Sequence, residues 1–203
     1  MQYIIFDNME ICSEQEVARL LEVVSEQRRQ QALSYKHLFG QFCCLKSYEI
    51  LLELLEARCY RDSRRSRGTS DVRPIFVYNE YGQPRIEGGP YFSISHCKKA
   101  IAVAVSDCPI GIDIESIRVV QPSLMDKTMN EAEKASIVAS EDSNMAFTNF
   151  WTQKEAYLKM QGTGIIADLK TTLMEVDPSK VVIETQEYPE KGYVMSLAHT
   201  TID

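Results

Sequence analysis

The stretch Gly111-Ile112-Asp113-Ile114-Glu115 sets two carboxylates two residues apart, and isoleucines at 110, 112 and 114 alternate with them. Read as a strand, it puts the isoleucines on one face and Gly111, Asp113 and Glu115 on the other. The two carboxylates then stand about 7 Å apart along the strand, at roughly 3.3 Å per residue. They share their face with a residue that has no side chain. Such ground suits one hard cation with a phosphate lying over it, because Mg²⁺ is commonly held by one or two carboxylates plus substrate phosphates. Alone, the D-x-E spacing equally describes two solvated acids on an outer strand face, so other segments must decide.

A second set lies on a predicted helix over 145–161. Phe147 and Leu158 fall within about 40° of Trp151 at 100° per residue and give that helix its buried stripe. Glu155 follows Trp151 by four residues and Lys159 follows Glu155 by four, so both lie along the border of the stripe. An ordinary Glu-Lys pair at this spacing contributes a few tenths of a kcal/mol. Beside aromatic side chains it is partly shielded from water, where charges interact more strongly. The third set is the polar connection His96-Cys97-Lys98-Lys99. Asp113, Glu115, Glu155, Lys159, His96, Lys98 and Lys99 together could surround a metal-bound diphosphate. That chemistry is the transfer of a phosphate-linked group: metal and lysine neutralise the oxygens, and a carboxylate takes the proton from an attacking hydroxyl.

The elements that must position these groups are legible in outline. Ser13 and Glu16 form a capping box that opens a helix carrying Val17, Leu20, Leu21 and Val24 and ending in Gln27-Arg28-Arg29. A longer helix is expected over 38–60, apolar on more than one side and central to the N-terminal half. The basic run 61–73 has no apolar period and reads as a loop, solvated or a patch for phosphate or an acidic partner. Strands are expected over 75–78, 91–95, 100–105 and 110–115. Phe92 and Ile94 point one way, and Ser93 and Ser95 the other. If the last three strands form a meander, the acidic end of the third lies near His96. The chain then loosens over 119–127, and Asn130 with Glu133 caps a helix over 131–140. The 145–161 helix stops at Gly162-Thr163-Gly164. Short strands over 173–176, 181–185 and 193–198 complete the chain, and each half carries strands and helices in comparable amounts.

Composition narrows the function classes. The 203 residues, 44% apolar and 25% charged, suit one large or two small globular units. A net charge of −7 argues against a general nucleic-acid binder. No stretch has the roughly 20 apolar residues of a membrane span, and the start lacks a signal-peptide pattern. Six cysteines without a C-x-x-C pair, and three histidines, fit reduced cytoplasmic thiols and not a zinc site.

Three motifs, in this order and at these spacings, resemble the 4′-phosphopantetheinyl transferases of the surfactin-activating class. They are Phe92-Ser93-Ile94-Ser95-His96, Pro109-Ile110-Gly111-Ile112-Asp113-Ile114-Glu115, and Phe150-Trp151-Thr152-Gln153-Lys154-Glu155-Ala156-Tyr157-Leu158-Lys159 with Gly162-x-Gly164. Gly82-x-Pro84 also fits. The motifs cover about the central third of the chain. The resemblance implies an α+β fold of two similar, pseudo-two-fold-related lobes, here 1–108 and 109–203, in a cytoplasmic monomer. It implies transfer of the phosphopantetheine arm of coenzyme A to a serine of an acyl or peptidyl carrier protein, with release of adenosine 3′,5′-bisphosphate. By the same resemblance Asp113, Glu115 and Glu155 are the Mg²⁺ carboxylates, and Glu155 is also the base for the carrier serine. Lys159 assists the leaving phosphate and, with His96, Ser95, Lys99 and Arg28, contacts coenzyme A. The chain departs from the pattern at Gln83, where the family often has lysine. It departs again at Gln31 and over Gln41-Phe42-Cys43-Cys44, where the family carries basic residues for the 3′-phosphate; Lys46 or the 61–67 loop could substitute. The alternatives are a non-catalytic subunit that binds coenzyme A or a carrier protein, and a metal-dependent phosphohydrolase.

Overall fold

The computed structural model describes residues 1–62, 74–164 and 168–201, with 59–62 described by backbone only. Among them are eight strands and six α-helices, an α+β arrangement. The first half runs β1 (Gln2–Phe6), α1 (Glu14–Val23), α2 (Glu26–Leu33), α3 (Leu38–Asp62), a small hairpin of β2 (Phe76–Tyr78) and β3 (Pro84–Ile86), then β4 (Tyr91–His96) and β5 (Ile101–Ser106). The second half runs β6 (Ile110–Ser116), α4 (Pro122–Thr128), α5 (Glu131–Ala139), α6 (Ser143–Gln161), β7 (Val181–Tyr188) and β8 (Tyr193–Thr200). The two main sheets have the orders β1-β5-β4 and β6-β8-β7, each fully antiparallel. Each half therefore runs strand, helices, hairpin, and each places the last strand of its hairpin in the middle of its sheet.

The layers follow from which face of each strand is apolar. Ile101, Val103 and Val105 of β5, with Phe92 of β4, pack on α1 and α3 through Leu20, Phe42, Leu45 and Leu51. The opposite face of β5, Ala102 and Ala104, meets Ile110, Ile112 and Ile114 of β6 and Met195 and Leu197 of β8. The small alanines let the two sheets stack closely, which leaves β5 buried on both faces, as its unbroken apolar run predicts. Beyond the second sheet lies α6, with Ala156, Tyr157 and Met160 against Ala198 and Ile183. The N-terminal half of α6 joins α4 and α5 in a cluster of Met129, Ile137 and Phe147, with Trp151 stacked on Phe147 at 6.2 Å.

Several expectations need correction. The first helix does not run on into Arg28: it ends at Val23, and Ser25 starts α2 by accepting a hydrogen bond from the Arg28 amide at 3.3 Å. The segment expected to loosen over 119–127 contains α4, with Pro122 in its first turn. The strand expected over 173–176 is a 3₁₀ turn, Thr172–Glu175. Helix α3 continues through Asp62 into the run read as a loop, and the arginines at 64, 65 and 67 lie outside the described residues. The meander also fails at its third strand. β4 and β5 form the expected hairpin, with His96 opposite Ile101, but β6 starts a new sheet by pairing with β8.

Candidate active site

The predicted neighbourhood survives the failed meander because β6 passes under β4 instead of beside it. Ser93 and Ser95 sit on the β4 face turned toward the second sheet. Ser93 Oγ accepts from the Ile112 amide at 3.0 Å, and Ser95 Oγ donates to Asp113 Oδ1 at 2.7 Å. The His96 end of β4 thus comes to the acidic end of β6 through serine bridges and not through strand pairing.

The Gly111 face of β6 is not open ground, as expected, but is covered by α6. A Cβ at Gly111 would collide with the Ala156 carbonyl oxygen and crowd the Met160 amide. Glycine here allows the backbone of α6 to lie directly on the strand, the close approach that a glycine inside a strand often marks. Glu155 and Lys159 precede those two contact residues by one position each, so the same approach brings them to Asp113. The Lys159 ammonium donates to Asp113 Oδ1 at 2.7 Å. Asp113 is buried, while the Lys159 side chain keeps 29% exposure. Oε1 of Glu155 is buried without a hydrogen-bond partner. Burial first, then the negative charge of Asp113 and more weakly that of Glu115, pushes the Glu155 carboxyl above the usual range, against a lowering pull from Lys159. Glu115 is half-buried, and its Oε1 accepts from the amide of its neighbour Ser116 at 2.8 Å.

His96 stands at the rim, edge-on to Phe39 with ring centroids 6.4 Å apart. Desolvation lowers its pKa and the positive charge of Lys159 lowers it further, against a raising effect of Asp113. Beside it the cluster sets three carboxylates against one ammonium, a formal surplus of two negative charges. Among the described residues, however, no three His, Cys, Asp or Glu side chains are gathered so as to hold a metal ion as they stand. The ammonium of Lys159 occupies Asp113 where the sequence reading expected a cation.

Two expected contact residues lie elsewhere. Lys99 lines a separate hollow with Asp7, Lys98, Lys191 and Tyr193. Arg28 is held against the N-terminal core, its guanidinium 4.8 Å from the Tyr48 ring centre and 5.3 Å from that of Phe76. Sequence reasoning missed three features. One is the Gly111 contact, which its place inside a strand could have signalled. Another is the buried pair of Lys154 and Glu133, 2.6 Å apart. The last is the grip of Asn79 and Gln83 on the end of α6.

The family model described as the 4′-phosphopantetheinyl transferase superfamily matches residues 109–198. Over that segment the chain is similar to the superfamily. The matched segment holds Asp113, Glu115, Glu155 and Lys159, whereas His96, Ser95, Lys99 and Arg28 precede it. Three curated relatives carry the superfamily's name. The 4′-phosphopantetheinyl transferase gsp of Aneurinibacillus migulanus is 29% identical over 57% of this chain and 50% of its own. The transferase ffp of Bacillus subtilis is 24% identical over 87% of this chain and 77% of its own. Sfp of Bacillus subtilis strain 168 is 26% identical over 75% of this chain and 66% of its own. The chain thus spans half of the first of these superfamily members and about two thirds or more of the other two.

Proposed function

We propose that this chain transfers the 4′-phosphopantetheine arm of coenzyme A to a serine hydroxyl of an acyl or peptidyl carrier protein and releases adenosine 3′,5′-bisphosphate. The observation that carries the reading is the junction of β4, β6 and α6, where Ser95 and Lys159 meet on Asp113 beside the unpartnered Glu155. Glu155 is the base: its raised pKa makes it a better proton acceptor than an exposed carboxylate. It takes the proton of the serine hydroxyl as the serine oxygen bonds to the phosphorus that carries the pantetheine arm. The bond from that phosphorus to the bridging oxygen breaks, and the electron pair leaves on the 5′-phosphate of the nucleotide. Lys159 stabilises that departing oxygen and can supply its proton. Ser95 orients Asp113, and His96 meets a coenzyme A phosphate.

Asp113, Glu115 and Glu155 would hold Mg²⁺. The surplus negative charge and the orphaned Glu155 oxygen fit a divalent cation. Bound there, the ion supplies positive charge to the diphosphate oxygens. Lys99 and Arg28 are outer contacts to the nucleotide end. We further assign two lobes, 1–108 and 109–203, working as a cytoplasmic monomer; the repeated sheet order supports the division.

The test is mass spectrometry of carrier proteins incubated with the chain, coenzyme A and Mg²⁺. The expected result is a mass gain of one phosphopantetheine on the carrier serine, lost on chelation by EDTA and restored by Mg²⁺. Binding of coenzyme A or carrier with no mass gain on any carrier would favour a binding subunit. Breakdown of coenzyme A without a carrier would favour a hydrolase.

A further inference from the structure

The small β2–β3 hairpin belongs to neither main sheet, yet its tip reaches the end of the helix that carries Glu155 and Lys159. The tip is shaped by one side chain. Asn79 Oδ1 accepts from the amides of Tyr81 at 3.0 Å and Gln83 at 2.8 Å, which fixes the turn and leaves Asn79 Nδ2 to point outward. Asn79 Nδ2 donates to the Gly162 carbonyl at 2.8 Å, and Gln83 Nε2 donates to the Lys159 carbonyl at 2.6 Å. The amide orientations are forced, because both helix-end partners are carbonyls and can only accept.

The last four carbonyls of a helix lack partners within it. In α6, Gly162 closes the final turn in the left-handed region at φ +75°, its amide donating to the Leu158 carbonyl at 2.9 Å. The next carbonyl, that of Lys159, is the one Gln83 satisfies. A Cβ at Gly162 would strike the Gln83 amide, so glycine serves both the turn and the approach of the hairpin. Lys159 is therefore held at two points, its carbonyl by Gln83 and its ammonium by Asp113. The hairpin tip and the helix also enclose a hollow of about 220 Å³, lined by Tyr81, Gly82, Gln83, Glu155, Leu158 and Lys159.

We infer that Asn79 and Gln83 are positioning residues for Lys159, resting on the transfer reading above. Gln83 stands where the resembled family often has lysine.

The test is a double-mutant cycle on transfer rate. Gln83→Met keeps the length of the side chain and removes the donor. It should lower kcat about 10- to 100-fold and raise KM for coenzyme A less than about threefold. In the Lys159→Ala background it should cost less than about twofold more, because the group it positions is gone. Gln83→Lys, which keeps a donor, should recover most of the rate. Amide exchange of the last turn of α6 should rise in Gln83→Met and return to the wild-type level in Gln83→Lys. Equal losses in both backgrounds would reduce Gln83 to a helix cap and overturn the inference, as would an unchanged rate. A wild-type chain that modifies no carrier would sink the transfer reading itself; raised exchange in Gln83→Met would then mark a cap without a catalytic purpose.

Discussion

Lys154 and Lys159 sit five positions apart on α6, and each meets a carboxylate from another element. Lys154 and Glu133 are almost fully enclosed, with 1% and 7% side-chain exposure. Each has a further partner: Lys154 also donates to the Thr128 carbonyl at 2.7 Å, and the same Glu133 oxygen accepts from the Asn130 amide at 2.8 Å. Lys159 and Asp113 stand at 29% and 8%, with the Glu155 oxygen beside them lacking a partner. Burial pulls the Lys154 pKa down against its partner's pull, so that pair persists through its closed network of partners. The Lys159 group is an open network: it has surplus negative charge, one free acceptor and access to solvent. One helix thus carries a finished pair that ties α5 to α6 and an unfinished one that is able to take a ligand.

The sharpest way to break this contrast is to remove one partner from the finished pair. Glu133→Ala leaves an enclosed ammonium without its counter-charge and also removes the acceptor of the Asn130 amide, one half of the capping box of α5. It should cost about 3–5 kcal/mol of unfolding free energy, measured by urea denaturation. Replacing both residues, Glu133→Met with Lys154→Met, should recover most of that loss. A Glu133→Ala protein as stable as the wild type would show that the enclosure is not dry.

The matching substitution in the open group should cost less stability and remove activity. Asp113→Ala returns a partly exposed ammonium to water but leaves the buried Ser95 hydroxyl without its acceptor, a loss of about 1–3 kcal/mol. Mg²⁺-dependent transfer should fall at least about 1,000-fold. Lys159→Ala should lower kcat about 100-fold with a smaller change in coenzyme A binding, as expected of a group that acts on charge developing in the transition state. Calorimetry of coenzyme A binding checks the division; a pure loss of affinity would remove Lys159 from the chemical step.

Between the two pairs lies the Gly111 contact, which seats α6 on β6. Gly111→Ala forces a methyl group against helix backbone, which cannot swing away as a side chain can. The expected cost is about 1–3 kcal/mol, seen as a lower melting temperature. A displaced α6 should also slow transfer about tenfold. A fully active, fully stable Gly111→Ala protein would show that the close approach does not set the site.

What the sequence disclosed, and what it hid, follows the range of the forces involved. Alternation marked the two faces of β6 from Ile110 to Glu115, and the capping box at Asn130 and the glycine stop at 162 marked helix ends, because these signals are local. The acidic group, Lys159 and Ser95 were legible as a set through motif order. Their actual junction was not: Ser95 reaches Asp113 through sheet stacking, and no local pattern announces which strand β6 will pair with. The covering of Gly111 by α6 was not legible, because a bare strand face and one covered by a helix backbone carry the same residue. Ser25 was hidden inside an apparently continuous helical pattern, where a second cap looks like any polar position. Lys154 has the sequence signature of a solvated lysine, and only the fold shows that Glu133 waits for it.

The smallest expected effect comes from a third pair, which sets the exposed end of the comparison. Lys191 of the β7–β8 turn donates to Asp7 Oδ2 at 2.7 Å, and Tyr193 donates to the same oxygen at 3.0 Å. The hydrogen bond from Lys191, aided by that of Tyr193, holds the Asp7 carboxyl below the usual aspartate range despite some desolvation. A depressed carboxylate pKa adds stability above the unfolded value near 4, and that stability is lost as pH falls through the lower folded value. With Lys191 and Asp7 at 49% and 35% exposure, water and salt screen the interaction. Asp7→Asn should therefore cost less than about 1 kcal/mol at pH 7, and the difference should shrink toward zero as the pH falls below 3. Urea titrations of both proteins across pH 2–7 would show the two curves converging on the acid side. A gap that stays constant with pH would mean that Asp7 acts by shape and not by charge.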